Sequence, residues 1–427
     1  MGKEITANEI TIKKQGLATT SNYRKLNLDD IKNVAQGACF LASGGGGSLQ
    51  LTLTKIIPAF FSEQTEINLV GLEALTWEGD WGGVVAGMGS PMKLFDDPEL
   101  VKAAIPTYEK LAELCFAFKA AGQAKYDSLK LMDFCLPVEI GAVNSIVPMI
   151  VANGLPQIFD PWPVPVVVID ADGTGRAVPT LSLTMYARQI DLYPNILGGN
   201  NETEPGTYFD YGSLNVQDET TLEAAFLGMI NSKAFGNASG LAIYAANGPT
   251  FQSCNPISNG ISDSLQIGTI TTQTTGADRL SNVLRYINET MERKARQIFY
   301  GKVTDMKMAT AGLDTGYVII TGAEAFDGQT FKLFVENENI WGQLSNSSGD
   351  QPWIVGPDSM NYLTDDGFVF DNSDLWALYE KGERPTISVI GIQAATMVLD
   401  NSGLMAAWAH EVQSKKGPSN YITPWLT

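Results

Sequence analysis

Pro165-Val-Val-Val-Ile169-Asp170-Ala-Asp172-Gly-Thr-Gly175-Arg176-Ala-Val-Pro179 is the stretch whose reading decides the fold. A β-branched run that closes in Asp-x-Asp-Gly reads as a buried strand that stops and delivers carboxylates at its C-terminal end. Open α/β sheets bind their ligands at that end, so the segment argues for a site as well as a strand. Upstream, Glu139-Ile-Gly-Ala-Val-Asn144 follows a second apolar run, residues 130–138. A helix from Val143 to Ala152, ended by Asn153-Gly154, completes that unit.

The same alternation continues outward. Asn27 caps a helix in which Ile31, Val34, Ala35, Ala38 and Leu41 recur at helical spacing. It ends in Ser43-Gly44-Gly45-Gly46-Gly47-Ser48, and a second helix begins at Ser48 and runs towards Phe61, bent near Pro58. Gly82–Gly89 reads as a short buried strand breaking into a glycine turn, and Asp97-Pro98 opens a helix towards Phe118. These elements predict a polar arm over residues 1–25 and an α/β N-terminal domain over 26–190, with glycine-rich turns at strand ends. From Tyr193 to Tyr211 the chain is rich in Gly, Asn and Pro, which reads as a linker or long loop and puts a domain boundary between residues 186 and 215. Beyond it, Asp218–Ser232 and Asp278–Phe299 read as helices and Thr386–Ile390 as a strand. Gly316–Thr321, Asp327-Gly328 and Phe331–Val335 spell a hairpin, since Asp-Gly suits the turn that matches strand twist. The expectation for residues 205–427 is an α+β, sheet-rich C-terminal domain.

Composition narrows the function. With 28 Lys+Arg against 47 Asp+Glu the net charge is −19, and such a surface repels phosphate backbones and anionic lipid. Nucleic acid and membrane are therefore not expected as partners; a small-molecule substrate and a homo-oligomer are. Cys39, Cys115, Cys135 and Cys254 are too scattered for a zinc module or a disulfide framework, which reads as reduced thiols in a cytoplasmic protein. MGKEITANEITIKKQG has no apolar core, so no secretory signal is expected, and the N-x-[ST] matches at Asn201, Asn237, Asn288 and Asn346 carry no weight. Gly2 fits a loose myristoylation pattern of the kind chance supplies.

Taken in order, these pieces resemble the S-methyl thiohydantoin desulfurase family, long catalogued as a domain of unknown function beside hydantoinase/oxoprolinase proteins. The matching elements are Gly37-Ala38 with Gly44–Gly47, Gly87-Met-Gly-Ser-Pro91, Glu139-Ile-Gly-x-x-Asn144 and Gly154-Leu-Pro156. They continue with Asp170–Pro179, Asn337-Glu338-Asn339 and Gly356-Pro-Asp358, so the resemblance spans roughly residues 28–395. Four departures stand out. Residues 157–168 look inserted, Ala142 replaces a second glycine, Thr180 stands where a glutamate commonly follows the proline, and the tail after residue 395 loses the usual Gly-Pro and Phe-Gly ending.

Gly44–Gly47 opens onto a helix N-terminus, where N–H groups favour an anion or a developing oxyanion; the alternative is a connector. No Gly-Lys-Ser/Thr follows, and a helix precedes it, so it is neither a P-loop nor a dinucleotide fingerprint. Asp170 and Asp172 share one strand face and read as general base or ligands of a divalent metal, against the plainer reading of a turn neutralised by Arg176. Glu139 is either a polarising acid or a helix-dipole partner. Asn144, Arg176 and Asn337 read as substrate-binding, with Asn337 and Asn339 continuing the inward face of Phe331, Leu333 and Val335. Glu336 and Glu338 fall on the opposite, solvated face. His410, the sole histidine, reads as a surface or packing residue. Together with the resemblance, this implies a hydrolase acting on a hydantoin-like ring. Asp172 would be the principal acid, water would attack the ring carbon, and methanethiol would leave. The rival reading is a non-catalytic ligand-binding or self-assembling relative.

Overall fold

The computed structural model describes residues 17, 23–89, 98–155, 165–200, 209–232, 235, 238–311 and 313–427. The arm apart from Leu17 and Tyr23–Lys25, the Ser90-Pro91 end of the Gly87 motif, Asp97, Pro156, most of the inserted segment, Gly2, Asn201 and Asn237 lie outside the described residues.

Two sheets organise the chain. The first contains β1 (Tyr23–Leu26), β2 (Ile67–Gly71), β3 (Asp80–Gly89), β4 (Leu131–Pro137), β5 (Val167–Asp172), β6 (Ile196–Asn200), β7 (Phe209–Gly212), β8 (Ala238–Asn247) and β9 (Ile257–Ser258). Its order is β1-β2-β5-β4-β3-β8-β6-β7, with β9 pairing β5 off that path. The β2-β5-β4-β3 centre is parallel and the flanks are antiparallel. Every residue of β4 and β5 is buried, as expected of mainly apolar strands covered on both faces. The helices Leu28–Leu41 and Gly260–Gln273 cross so closely that a Cβ at Gly37 would meet the backbone of Ser264, and one at Gly268 the backbone of Asn33. Asn27 caps the first of them through a reciprocal box with Asp30.

The second sheet is wholly antiparallel. It comprises β10 (Ala295–Ala311), β11 (Leu313–Gly322), β12 (Thr330–Glu336), β13 (Glu338–Asn346), β14 (Gly349–Val355), β15 (Ser359–Leu363) and β16 (Thr386–Ile392), ordered β14-β13-β12-β11-β10-β16-β15. The Asp327-Gly328 hairpin forms, with Gly328 at φ 74°. Phe331, Leu333 and Val335 turn inward onto a core shared with Phe299, Val318 and Val389.

The architecture is thus a mixed α/β N-terminal part followed by a sheet-rich C-terminal part. The sheets divide later than the texture of residues 186–215 implies. The Gly/Asn/Pro-rich segment supplies β6 and β7, and β8 joins them beside β3, so the first sheet closes only with β9. The helix expected over 278–299 is Ala277–Glu289; Glu292 then takes φ 52° and Ile298 and Phe299 join β10, where both are buried in the second core. The helix expected from Val143 begins at Val147, because Gly141–Asn144 is held as turns against the glycine loop.

Candidate functional site

A cavity of about 160 Å³ opens at the C-terminal ends of β3 and β4, where a parallel sheet presents its ligand-binding edge. Ala86–Gly89, Val138, Glu139, Val143, Asn144 and Val178–Leu181 form one wall. Gly46, Gly47, Glu223, Leu241, Leu313 and the Asn337-Glu338 turn complete it. Residues from both sheets are needed to enclose it.

The glycine loop earns its composition from backbone geometry. Ser43, Gly44, Gly46 and Gly47 have φ of 56°, 81°, 68° and 92°, a region that side chains with a Cβ disfavour. A Cβ on Gly46 would collide with the Cα of Gly141, and one on Gly45 with the carboxyl of Glu338. The loop also stitches the two sheets together. Asn339 N–H donates to Ser43 O and Asn372 N–H to Gly44 O, both at 2.7 Å, while Val143 N–H donates to Gly46 O at 2.9 Å. Its expected role as an anion cradle meets competition at the helix start. Gln50 N–H donates to Asp374, and Leu51 N–H to Ser48 Oγ. Gly46 and Gly47 shape the cavity wall, whereas Gly44 and Gly45 face the second sheet.

Asp170, Asp172 and Arg176 are brought together, but beneath the cavity rather than in it. Asp170 accepts from Ile261 N–H (3.0 Å), Ser262 N–H (3.1 Å) and Ser262 Oγ (2.5 Å), which makes it the N-terminal cap of the Gly260–Gln273 helix. Asp172, fully buried, accepts from Thr174 N–H at 2.8 Å and Gly175 N–H at 2.5 Å; its other oxygen lies against Gly260 with no partner. Burial pushes its carboxyl up to about 7. Arg176 spends its guanidinium on Ala177 O, Asp358 O and Asn339 O at 2.6–2.9 Å, and lies over the Trp408 ring at 4.8 Å. These contacts account for Asp170 and Arg176 as structural residues. Of the two segments expected to face one cleft, Gly46 and Gly47 line the cavity, and the loop that follows Asp170–Arg176, Val178–Leu181, lines it in turn.

Glu139 does line the cavity. Its carboxylate accepts from Asn144 Nδ2 and from Val178 N–H, each at 2.6 Å, and burial raises it to about 7 against those two bonds. Asn144 also accepts from Gly87 N–H at 3.0 Å, which ties the β3 glycine turn to this acid. Facing it is Glu338, 2% exposed. Burial first, and the charge of Glu139 second, hold the Glu338 carboxyl well above the usual range, and its Oε2 has no partner. Asn337 sits at the β12–β13 turn with φ 52°, its Oδ1 accepting from Asp314 N–H at 2.8 Å. That left-handed turn resets the strand alternation. Glu338 therefore faces inward, contrary to the solvated face expected of it, while Glu336 pairs with Lys415. A third acid, Glu223, reaches the cavity from the Glu219–Ile230 helix; Leu181 N–H donates to it at 2.6 Å, and burial pushes it up to about 8. Nothing in its helical context marks Glu223 beforehand; only the altered residue at Thr180 hints that the wall beside it differs. His410 is exposed on the Ser402–Ser414 helix.

A divalent metal does not fit Asp170 and Asp172, since three of their four carboxylate oxygens already accept from amide and hydroxyl donors. Among the described residues no group of three or more His, Cys, Asp or Glu side chains is disposed to hold a metal ion. No helix is long and apolar enough to cross a membrane, again among the described residues.

Comparison with known proteins bears on both halves. Family profiles described as the S-Me-THD-like N-terminal domain and the S-Me-THD-like C-terminal domain match residues 29–204 and 217–407. No curated protein matches the chain. The crystal structure of a protein from Chromobacterium violaceum superposes with a TM-score of 0.71 at 22% identity, covering 94% of this chain and 100% of that one, a likeness of fold.

Proposed function

We propose that this chain, which belongs to the S-Me-THD-like family, is a hydrolase of hydantoin-like five-membered rings that releases methanethiol from an S-methyl thiohydantoin. The observation that carries the reading is the pairing of Glu139 and Glu338 across one small, largely apolar cavity, both held above the usual carboxylate range by burial. Such a pair keeps one carboxyl protonated while its neighbour is ionised, which is what acid–base chemistry at neutral pH needs. Water adds to the ring carbon that bears sulfur as Glu139 takes its proton, and Glu338 protonates the ring nitrogen that receives the C=N electrons. In the collapse, the new hydroxyl gives its proton to Glu338 and the C–S bond breaks. The departing thiolate takes the proton from Glu139, so both acids return to their starting states. Asn144 orients Glu139; Asp172 positions the loop below and touches no reacting atom. Glu139 and Glu338 between them supply both proton steps.

The test is thiol release from an S-methyl thiohydantoin by the purified protein. Wild type should release it catalytically, and Glu139→Gln and Glu338→Gln should each lower kcat by roughly a hundredfold or more. A wild-type protein that releases no thiol would remove the reading. The rival, a ligand-binding relative without turnover, is favoured by one observation: both oxygens of Glu139 already accept short hydrogen bonds. It predicts that the intact ring binds and is recovered unchanged.

A further inference from the structure

We infer that Glu223 sets the substrate's charge class, so that the cavity takes hydantoin-like rings whose side chain is apolar with a cationic end and rejects rings carrying a carboxylate. This rests on the reading of the cavity as a hydantoin-ring site. Among the described residues, three acids, Glu139, Glu223 and Glu338, line the cavity and no Lys, Arg or His does. An acidic cluster could be mere solvated surface, but among the described residues Glu338 Oε2 is buried without a partner and Glu338 belongs to the cavity lining, as an unpaired polar group does where a ligand partner is due. Glu139 and Glu338 occupy the wall built on the glycine loop and the β4 end. Glu223 reaches the cavity from a different element, its own helix, and is half-buried; the apolar side chains of Met88, Val101, Leu227 and Leu313 line the same cavity. Among the described residues Leu181 N–H is the one donor to its carboxylate, so one oxygen is free for a ligand. An alkyl chain would cover the apolar collar and its ammonium or guanidinium end would meet that oxygen. A carboxylate there would face Glu223 and, behind it, Glu219, Glu139 and Glu411, whose charges already act on it. Uncompensated like charges in a partly buried site oppose binding strongly.

The experiment compares 5-(4-aminobutyl)hydantoin, 5-butylhydantoin and 5-(3-carboxypropyl)hydantoin by calorimetry at pH 8.5, above the value of about 8 reached by Glu223. The aminobutyl ring should bind roughly tenfold or more tightly than the butyl ring, a typical gain for a new charged hydrogen bond, and the carboxypropyl ring at least as much more weakly. Glu223→Gln should erase the difference between the first two. A butyl ring that binds with no charge preference, or a preference that survives Glu223→Gln, overturns the inference alone. Binding of none of the three rings overturns both the inference and the reading of the site as a hydantoin site.

Discussion

At the scale of single residues, burial separates acids that the sequence presents alike. Asp172 has every feature expected of a catalytic acid: a strand end, a neighbouring Asp170 and a raised carboxyl. Yet its ligands are the amides of its own turn. Asn at this position keeps the accepting oxygen, so Asp172→Asn should retain thiol release within about threefold and leave the melting temperature nearly unchanged. A variant that folds but has lost turnover would return the chemistry to Asp172. Glu139→Gln, measured beside it, should lose turnover and some stability as well, since an amide can accept only one of the two hydrogen bonds that the carboxylate accepts. Gly46→Ala is the severe change. It must hold φ near 68° while its Cβ meets the Gly141 backbone, so it should cost several kcal/mol, seen as a drop in soluble yield and melting temperature. The four-glycine run was legible as special, but its use was not. Backbone approach to Gly141 and Glu338 joins residues about a hundred and about three hundred positions away.

Elements show where local pattern suffices. The capped Leu28–Leu41 helix, the β-branched start of β5 and the Asp-Gly hairpin of β11 and β12 follow from periodicity and turn chemistry. Pattern fails at Glu338, because a single left-handed residue, Asn337, shifts the alternation that periodicity extrapolates. The starts of β3 and β4 carry a second acid pair that no motif announces, Asp80 and Asp133. The parallel register slips between Trp81 and Gly82 opposite Met132 and Phe134, which buries Asp133 at the bulge. Each has one oxygen without a partner, and burial pushes Asp80 up to about 9 and Asp133 to about 7. The folded state therefore binds more protons than the unfolded chain, whose aspartates titrate near 4. Stability contributed by this pair is full below about pH 4 and is lost as pH rises through 7 to 9. Urea midpoints should fall between pH 5.5 and 8.5, and the Asp80→Asn/Asp133→Asn double variant should show a shallower fall; an equal slope would exonerate the pair.

Over the whole molecule, the two sheets share one site and are pinned by Arg176, whose side chain runs from the turn after β5 to carbonyls of Asn339 and Asp358. Arg176→Met keeps much of the volume but leaves three carbonyls without their donor, at about 1–3 kcal/mol each when buried. Its melting temperature should fall by several degrees, and Arg176→Lys should recover part of that; an unaffected Arg176→Met protein would show the clamp to be dispensable. The C-terminal tail joins the same anchor, since Tyr421 and Trp425 donate to the Asp358 carboxylate at 2.8 and 3.0 Å. The family profiles meet between residues 204 and 217, whereas the first sheet continues through β8 and β9, so a change in composition along the chain and a change of sheet in space need not coincide. By itself the sequence determined the α/β-then-sheet-rich order, the family and the buried parallel strands, and its motifs singled out Glu139, Asn144, Gly46, Gly47 and Asn337, which line the cavity. Those follow from spacing and composition, which act over a few residues. Only the tertiary structure decided that Asp170, Asp172 and Arg176 hold the scaffold and that Glu223 and Glu338 complete the cavity. Burial and pairing between residues hundreds of positions apart are set by chain crossings, and no local pattern encodes those.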